Sequence, residues 1–189
     1  MNNVHTSEPL DQFNAWYAEA GTDVVALATA TPDGAPSARM VLLKGADSKG
    51  FTFFTNYESR KGRELTDNPR AALLFHWPQL GRQVRVEGAV ERVGRQESEE
   101  YFSTRPRGAQ LAAWASRQSE PVESREALDS RFAEIDREHP DEVPLPPHWG
   151  GYRLTPEAYE FWQHRENRFH DRLRYRRLAE GWVIDRLSP

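Results

Sequence analysis

The segment "VVALATATPDGAPSARMVLLKG", residues 24–45, decides the fold. Two apolar runs flank "PDGAP" (32–36), and its Asp33-Gly34 pair is a tight-turn signal. The chain should run out along "VVALATAT" (24–31) and return along "SARMVLLKG" (37–45). A further turn, "DSKG" (47–50), sends it into a third strand, "FTFFTNY" (51–57). Short turns join antiparallel strands, whereas parallel strands need long crossovers. A doubly wound sheet is therefore disfavoured from the first hairpin.

Working outward, "EPLDQFNAWYAEA" (8–20) has Leu10, Phe13, Trp16 and Tyr17 at helical spacing. After residue 57 a short helix should use Ser59 as its N-cap and stop near Asn68-Pro69. "RAALLFHW" (70–77) is strand-like. "RQVRVEGAVERV" (82–93) alternates, with Val84, Val86 and Val90 on one face and Gln83, Arg85 and Glu87 on the other. Residues 97–118 read as helix broken at Pro106, and 124–139 as helix with Leu128, Phe132 and Ile135 inward. A Pro-rich crossing segment (143–154) leads into a strand. Strands at 157–163, 168–178 and 182–187 follow. The expectation is a mainly β chain with helices (α+β): an antiparallel barrel with helices packed outside, in one domain spanning 1–189. A helix within 1–22 precedes it and strands within 157–189 complete it.

Composition narrows the function. The 189 residues are 38% hydrophobic and 29% charged, with net charge −4. That suits a soluble folded chain and argues against nucleic-acid binding by bulk charge. The absence of cysteine removes disulfides and thiol chemistry and is compatible with a reducing cytoplasm, the expected location. No apolar run approaches the roughly 20 residues of a membrane helix. "MNNVHTSEPLDQF" lacks the basic start and apolar core of a signal peptide. The six histidines show no metal-ligand spacing, so no metal is expected. Gly-x-Gly-x-x-Gly, Walker and Gly-x-Ser-x-Gly motifs are missing.

Two stretches point to a small anion. "FTFFTNYESRKGREL" (51–65) places Arg60, Lys61 and Arg63 at a helix start, where the macrodipole is already positive. An anion held there makes the arrangement favourable. If 168–176 is extended, Arg168, His170, Arg172, Arg174 and Arg176 share one face. The alternatives are a solvated edge strand or a ligand-facing cationic surface, and the pattern leaves both open. Arg39 and Lys44 should face opposite sides of their strand. Tyr101 and Arg105 share a helix face, and on spacing alone a surface stacking contact is the simpler reading.

The blocks "RMVLLKG", "FFTNYESRKGREL", "NPRAALLFHW", "RQVRVEG", "YFSTRPRGAQLAAWASRQS", "PPHWGGYRL", "EFWQ" and "RFHDRLRYRR" together resemble pyridoxamine 5′-phosphate oxidase over about residues 24–189. The resemblance implies a homodimeric split β-barrel with FMN at the subunit interface. It implies flavin contacts from Arg39, Met40, Val41, Leu42, Leu43, Lys44, Phe54 and Thr55. Arg60 and Lys61 would hold the FMN phosphate. Gln83, Gln118, Ser119, Trp162 and Arg172 match further flavin positions, some from the partner subunit. Lys44, Tyr101 and Arg105 would grip the substrate phosphate, and Arg168, Phe169 and His170 would lie over the substrate ring. Arg168 and His170 are the catalytic candidates. The implied reaction oxidises pyridoxamine or pyridoxine 5′-phosphate to pyridoxal 5′-phosphate, with dioxygen reduced to hydrogen peroxide. Ala109 stands where the family usually has serine, Phe169 where it has leucine, and the N-terminus is short. The other readings are an oxidase of a different aromatic, such as a reduced phenazine precursor, and a non-enzymatic binder of FMN or pyridoxal phosphate.

Overall fold

The computed structural model describes residues 6–189; the start of the expected N-terminal segment, residues 1–5, lies outside them. The helix α1 (Pro9–Ala20) begins with proline in its first turn and ends at Gly21, whose φ of 64° is left-handed. Strands β1 (Val24–Ala30) and β2 (Pro36–Asp47) form the expected hairpin, and β3 (Gly50–Asn56) continues it. Helix α2 (Arg60–Asp67) follows, then β4 (Arg70–Trp77) and β5 (Arg82–Arg92). Helices α3 (Arg95–Ser103) and α4 (Arg107–Ala115) are separated at Pro106. Then come α5 (Arg125–Glu138), β6 (Trp149–Gln163), β7 (Asp171–Leu178) and β8 (Gly181–Arg186).

All the strand pairings are antiparallel. The order is β3-β2-β1-β4-β5-β6-β7-β8, and a β3–β6 pairing closes the first six strands into a barrel. Its interior is filled by alternate side chains, among them Leu27, Phe53, Leu73, Phe75, Val84, Val86 and Phe161. Helix α1 inserts Phe13, with no exposed surface, edge-on against Phe51 and Phe75. Burying one such ring stabilises by about 1.5–3 kcal/mol. A smaller cluster of Phe102, Leu111, Val143, Leu145 and Trp149 anchors α3 and α4 outside the barrel. Helix α5 has no fully buried residue; Phe132 and Ile135 rest against this cluster half-buried, so its expected inward face is shallow.

Two expectations need correction. The expected separate segments at 143–154 and 157–163 are joined in β6, one strand of 15 residues running through Pro156. Proline is tolerated there because the ladder slips: Glu87 pairs with Ala158 and Gly88 with Pro156. This bulge also bends β6 so that it can serve β3, β5 and β7. Second, Arg168 and His170 do not lie on a strand. A 3₁₀ turn, Glu166–Arg168, puts Asn167 (φ 55°) and Arg168 (φ 63°) in the left-handed region, and β7 begins only at Asp171. Nor is β7 an edge strand, since β6 and β8 flank it. Three of its cations are ion-paired to neighbours: Arg172 to Glu160, and Arg174 and Arg176 to a shared Asp185.

Gly88 is required by close approach. A Cβ there would lie 1.9 Å from the Thr155 carbonyl oxygen, which belongs to backbone and cannot swing away. Gly88→Ala should therefore lower stability by about 1–3 kcal/mol, the usual range for overpacking. Chemical denaturation measures it, and a loss below about 0.5 kcal/mol would show that the bulge relaxes freely.

Candidate functional site

The start of α2 is built around Ser59, whose extended backbone and hydroxyl, accepting from the Gly62 N–H at 3.3 Å, cap the helix. Its three cations part company. Arg63 donates to the Glu58 carbonyl and turns away. Arg60 is largely exposed, with Nε donating to Glu64 Oε1 at 2.9 Å. Lys61 is buried, and its Nζ donates to Thr55 Oγ1 and Gln118 Oε1, both at 3.0 Å. Burial and the charge of Arg39 bring the Lys61 pKa down to about 8, although Glu64 opposes them.

Behind these cations lies Glu64, a carboxylate only 4% exposed. Its oxygens accept from Thr29 Oγ1 (2.5 Å), Ser37 Oγ (2.6 Å), Arg39 Nη2 (3.2 Å) and Arg60 Nε. Burial alone would push this carboxyl up, yet bonds from Ser37, Thr29, Arg60 and Arg39 bring it down to about 2. Glu64 thus ties α2 to β1 and β2. It was not anticipated from the sequence, although its spacing four residues after Arg60 was the available signal.

A cavity of about 490 Å³ opens beside Lys61. Met40, Val41, Leu42 and Lys44 line it from β2, Phe54 and Thr55 from β3, and Gln118 from the loop after α4. Tyr101, Arg105 and Ala109 face it from α3, α4 and their junction, with Trp149 of β6. Tyr101 stacks on Phe54 with ring centroids 4.0 Å apart, and Tyr101 and Arg105, whose spacing alone suggests a surface stacking contact, both line the cavity. The Arg105 guanidinium lies 4.6 Å from the Trp149 ring centroid, and its buried Nη1 has no hydrogen-bond partner among the described residues. Burial pulls the Arg105 pKa down, with Tyr101 partly opposing. A desolvated guanidinium with an idle donor beside a cavity is suited to an anion.

The remaining expected residues divide. Arg39 faces the opposite side of β2 from Lys44, as expected, and binds the Leu27 carbonyl, Thr29, Ser37 and Glu64. The Leu43 side chain is a correction: it is 3% exposed in the core, so only its backbone can meet a ligand. Ser119 sits at φ 75° just beyond the cavity. Gln83, Trp162 and Arg172 form one cross-strand row on β5, β6 and β7. The His170 ring lies 4.6 Å from that of Trp162, and its Nδ1 accepts from the Arg165 N–H at 3.2 Å. In the neutral ring this puts the hydrogen on Nε2. Arg172 is held by Glu160, itself 5% exposed, and by the Ser188 carbonyl. Phe169 is 76% exposed. His164 and His170 rings lie 5.2 Å apart, but the described residues contain no group of three potential metal ligands.

These residues therefore make two groups on one outer sheet face. Their separation is set along β6 (Trp149–Gln163): Trp149, at its start, walls the cavity, and Trp162, near its end, lies in the second group. Beside the cavity the outer face of β1, β2 and β4 carries exposed Val24, Met40, Leu42 and Leu74, of which Met40 and Leu42 also line the cavity.

No helix among the described residues is long and apolar enough to cross a membrane. Residues 11–138 match the pyridoxamine 5′-phosphate oxidase family, and residues 149–189 match the pyridoxine 5′-phosphate oxidase C-terminal dimerisation region. The pyridoxine/pyridoxamine 5′-phosphate oxidase of Rubrobacter xylanophilus is 58% identical, over 96% of this chain and 87% of its own. That of Cupriavidus taiwanensis is 56% identical, over 96% and 89%. Among solved structures, PhzG from Burkholderia lata, crystallised with tetrahydrophenazine-1-carboxylic acid, superposes with a TM-score of 0.93. It shares 35% identity and the match covers 99% of this chain and 95% of that one. Matched along nearly its whole length, the chain belongs to the pyridoxamine 5′-phosphate oxidase family, whose cofactor is FMN.

Proposed function

We propose that the protein is a cytoplasmic, homodimeric FMN-dependent oxidase that converts pyridoxamine or pyridoxine 5′-phosphate to pyridoxal 5′-phosphate. Dioxygen is the acceptor and hydrogen peroxide the second product. The observation that carries the reading is Arg105, a desolvated guanidinium with an idle, buried Nη1, in the wall of a cavity that Lys44 also lines. Two cations suit a phosphate dianion better than a monocarboxylate. The match to a C-terminal dimerisation region supports the dimer, and on this reading the exposed apolar face beside the cavity, paired with its copy, would bring the β5–β7 group of one subunit to the cavity of the other.

The residues present fit FMN. Lys61 is a buried cation with a lowered pKa at a capped helix N-terminus, an arrangement that gains from an anion. Lys61, Arg60 and Thr55 would hold the phosphate, and the β2 strand with Gln118 would line the ring system. FMN, when bound, supplies a hydride acceptor that dioxygen reoxidises. The chain's own contribution is alignment. Lys44, Tyr101 and Arg105 fix the substrate by its phosphate. The row of Trp162 and Arg172, with Arg168 and His170, closes over its ring and excludes water. His170 can exchange a proton only at Nε2 while Nδ1 is engaged by the Arg165 N–H. Asp171 supports that loop through Arg165 and Arg186.

The second reading, oxidation of a reduced phenazine precursor, is favoured by the likeness to PhzG. Incubation with each substrate decides. Peroxide should form with pyridoxamine 5′-phosphate and not with pyridoxamine. Peroxide only with a reduced phenazine carboxylate would move the chain to the other branch, and none with any substrate would leave a binding protein.

Lys61 gives the flavin site a pH dependence. Its ammonium is needed for phosphate, so FMN affinity should fall as pH rises through about 8, whereas riboflavin affinity should stay flat. The stability of the flavin-free protein moves the other way. Between about pH 8 and 10.5 the unfolded chain binds more protons at this lysine, so raising pH stabilises the fold. Fluorescence titrations of both flavins at pH 7 and 9 test it, and parallel curves would remove Lys61 from the phosphate site.

Ala109 lines the cavity beside Arg105 and leaves a methyl where a hydroxyl could donate. Ala109→Ser should tighten pyridoxal 5′-phosphate by up to about tenfold, or ~1.4 kcal/mol, with FMN affinity unchanged. Equal or weaker binding by a folded, flavin-loaded variant would put the substrate phosphate elsewhere.

A further inference from the structure

Of the cavity's three cations, Lys44, Lys61 and Arg105, Lys44 alone has a carboxylate partner among the described residues. Its Nζ lies 2.5 Å from Asp23 Oδ2. The backbone builds this pair. Val24 is registered opposite Leu42, and the Leu43 N–H donates to the Asp23 carbonyl at 2.8 Å, so Asp23, just before β1, is fixed beside Leu43 of β2. There the β2–β3 ladder slips between Leu43 and Gly45, which makes Lys44 the extra residue of a bulge. A bulge re-aims the side chain it carries. Tyr17 of α1 completes the cluster: burial and the Asp23 charge both raise its phenol pKa. Burial alone would lower the Lys44 pKa, but Asp23 and Tyr101 outweigh it and keep the amine charged.

We propose that Asp23 is an internal counter-anion that limits how tightly the cavity holds a phosphate-bearing ligand, and so hastens its release. The proposal rests on the reading of this cavity as the substrate phosphate site. A phosphate that reaches Lys44 must share the ammonium with Asp23 and sit within a few ångströms of a second negative charge. That repulsion grows with ligand charge, is greatest for a dianion and vanishes for a neutral ligand. Arg105, with an idle donor and no counter-ion, supplies the uncompensated grip. The two cations therefore have different tasks: one holds, and the other is tempered. An oxidase whose product keeps the phosphate of its substrate meets this need directly, because every contact that recruits the substrate also retains the product.

Asp23 is 41% exposed at its side chain, so replacement should spare the fold. The FMN-loaded dimers of wild type, Asp23→Asn and Asp23→Glu would be titrated with pyridoxal 5′-phosphate and with pyridoxal. Release rates would be followed by stopped flow, and thermal unfolding would check each variant. Asp23→Asn should bind pyridoxal 5′-phosphate about three- to tenfold tighter and release it correspondingly slowly, with pyridoxal unchanged. Added salt should shrink the difference, and Asp23→Glu should restore wild-type behaviour. If Asp23→Asn binds the phosphorylated ligand equally or more weakly, Asp23 only orients Lys44 and the proposal is wrong. If wild type itself fails to prefer pyridoxal 5′-phosphate over pyridoxal, the phosphate-site reading falls and this proposal with it.

Discussion

The structure depends on one long strand. β6 pairs with β5 through residues 152–163, with β3 through residues 149–154 and with β7 through residues 158–163. The first half closes the barrel against β3; the second stays paired with β5 and carries the C-terminal hairpin on its other edge. β3 and β7 take one edge of β6 in succession, and β5 takes the other. The slip at Gly88 and Pro156 falls between the two stretches: a residue without a side chain meets one without an N–H, and the strand bends between its two duties. Trp149 at one end walls the cavity, while Trp162 at the other lies in the second group. Both halves of the site are thus fixed to one piece of backbone.

Charge is arranged in the same economical way. The cations at α2 might be expected to repel one another, yet Glu64 sits behind them and takes bonds from Arg39 and Arg60 while leaving Lys61 unpaired. On the far group Glu160 plays the corresponding part between Arg85 and Arg172. In each case a buried carboxylate accepts from two guanidiniums, which orients their planes. Backbone strain is concentrated nearby. The non-glycine residues at positive φ among the described ones are Ser119, Asn167 and Arg168, each costing on the order of 1–3 kcal/mol. All three belong to the loops that flank the two groups.

Much of the fold was legible because its signals are local. The Asp33-Gly34 turn, the Ser59 cap, the break at Pro106 and the valine alternation of β5 each depend on a few adjacent residues. β6 was read as two pieces because Pro156 looks like a terminator until its partner strand is known to slip. The sequence aligns Arg168 and His170 with β7 because alternation continues there where the backbone does not. The site's residue types were visible through family resemblance, but their partners were not. Asp23 meets Lys44 only through the β1–β2 register, and Glu64 meets Ser37 and Thr29 only once α2 docks on the barrel. Such contacts are tertiary, and no window of sequence contains both sides.

The separation of the two groups has a genetic consequence. On the shared-site reading, each catalytic centre draws Lys44 and Arg105 from one chain and Arg168 and His170 from the other. A chain defective in the first pair and a chain defective in the second are each inactive alone. Mixed in one dimer, they leave one centre doubly damaged and the other whole. Two loss-of-function alleles could thus complement each other within a single gene, and half of a heterodimer's centres would work at full rate.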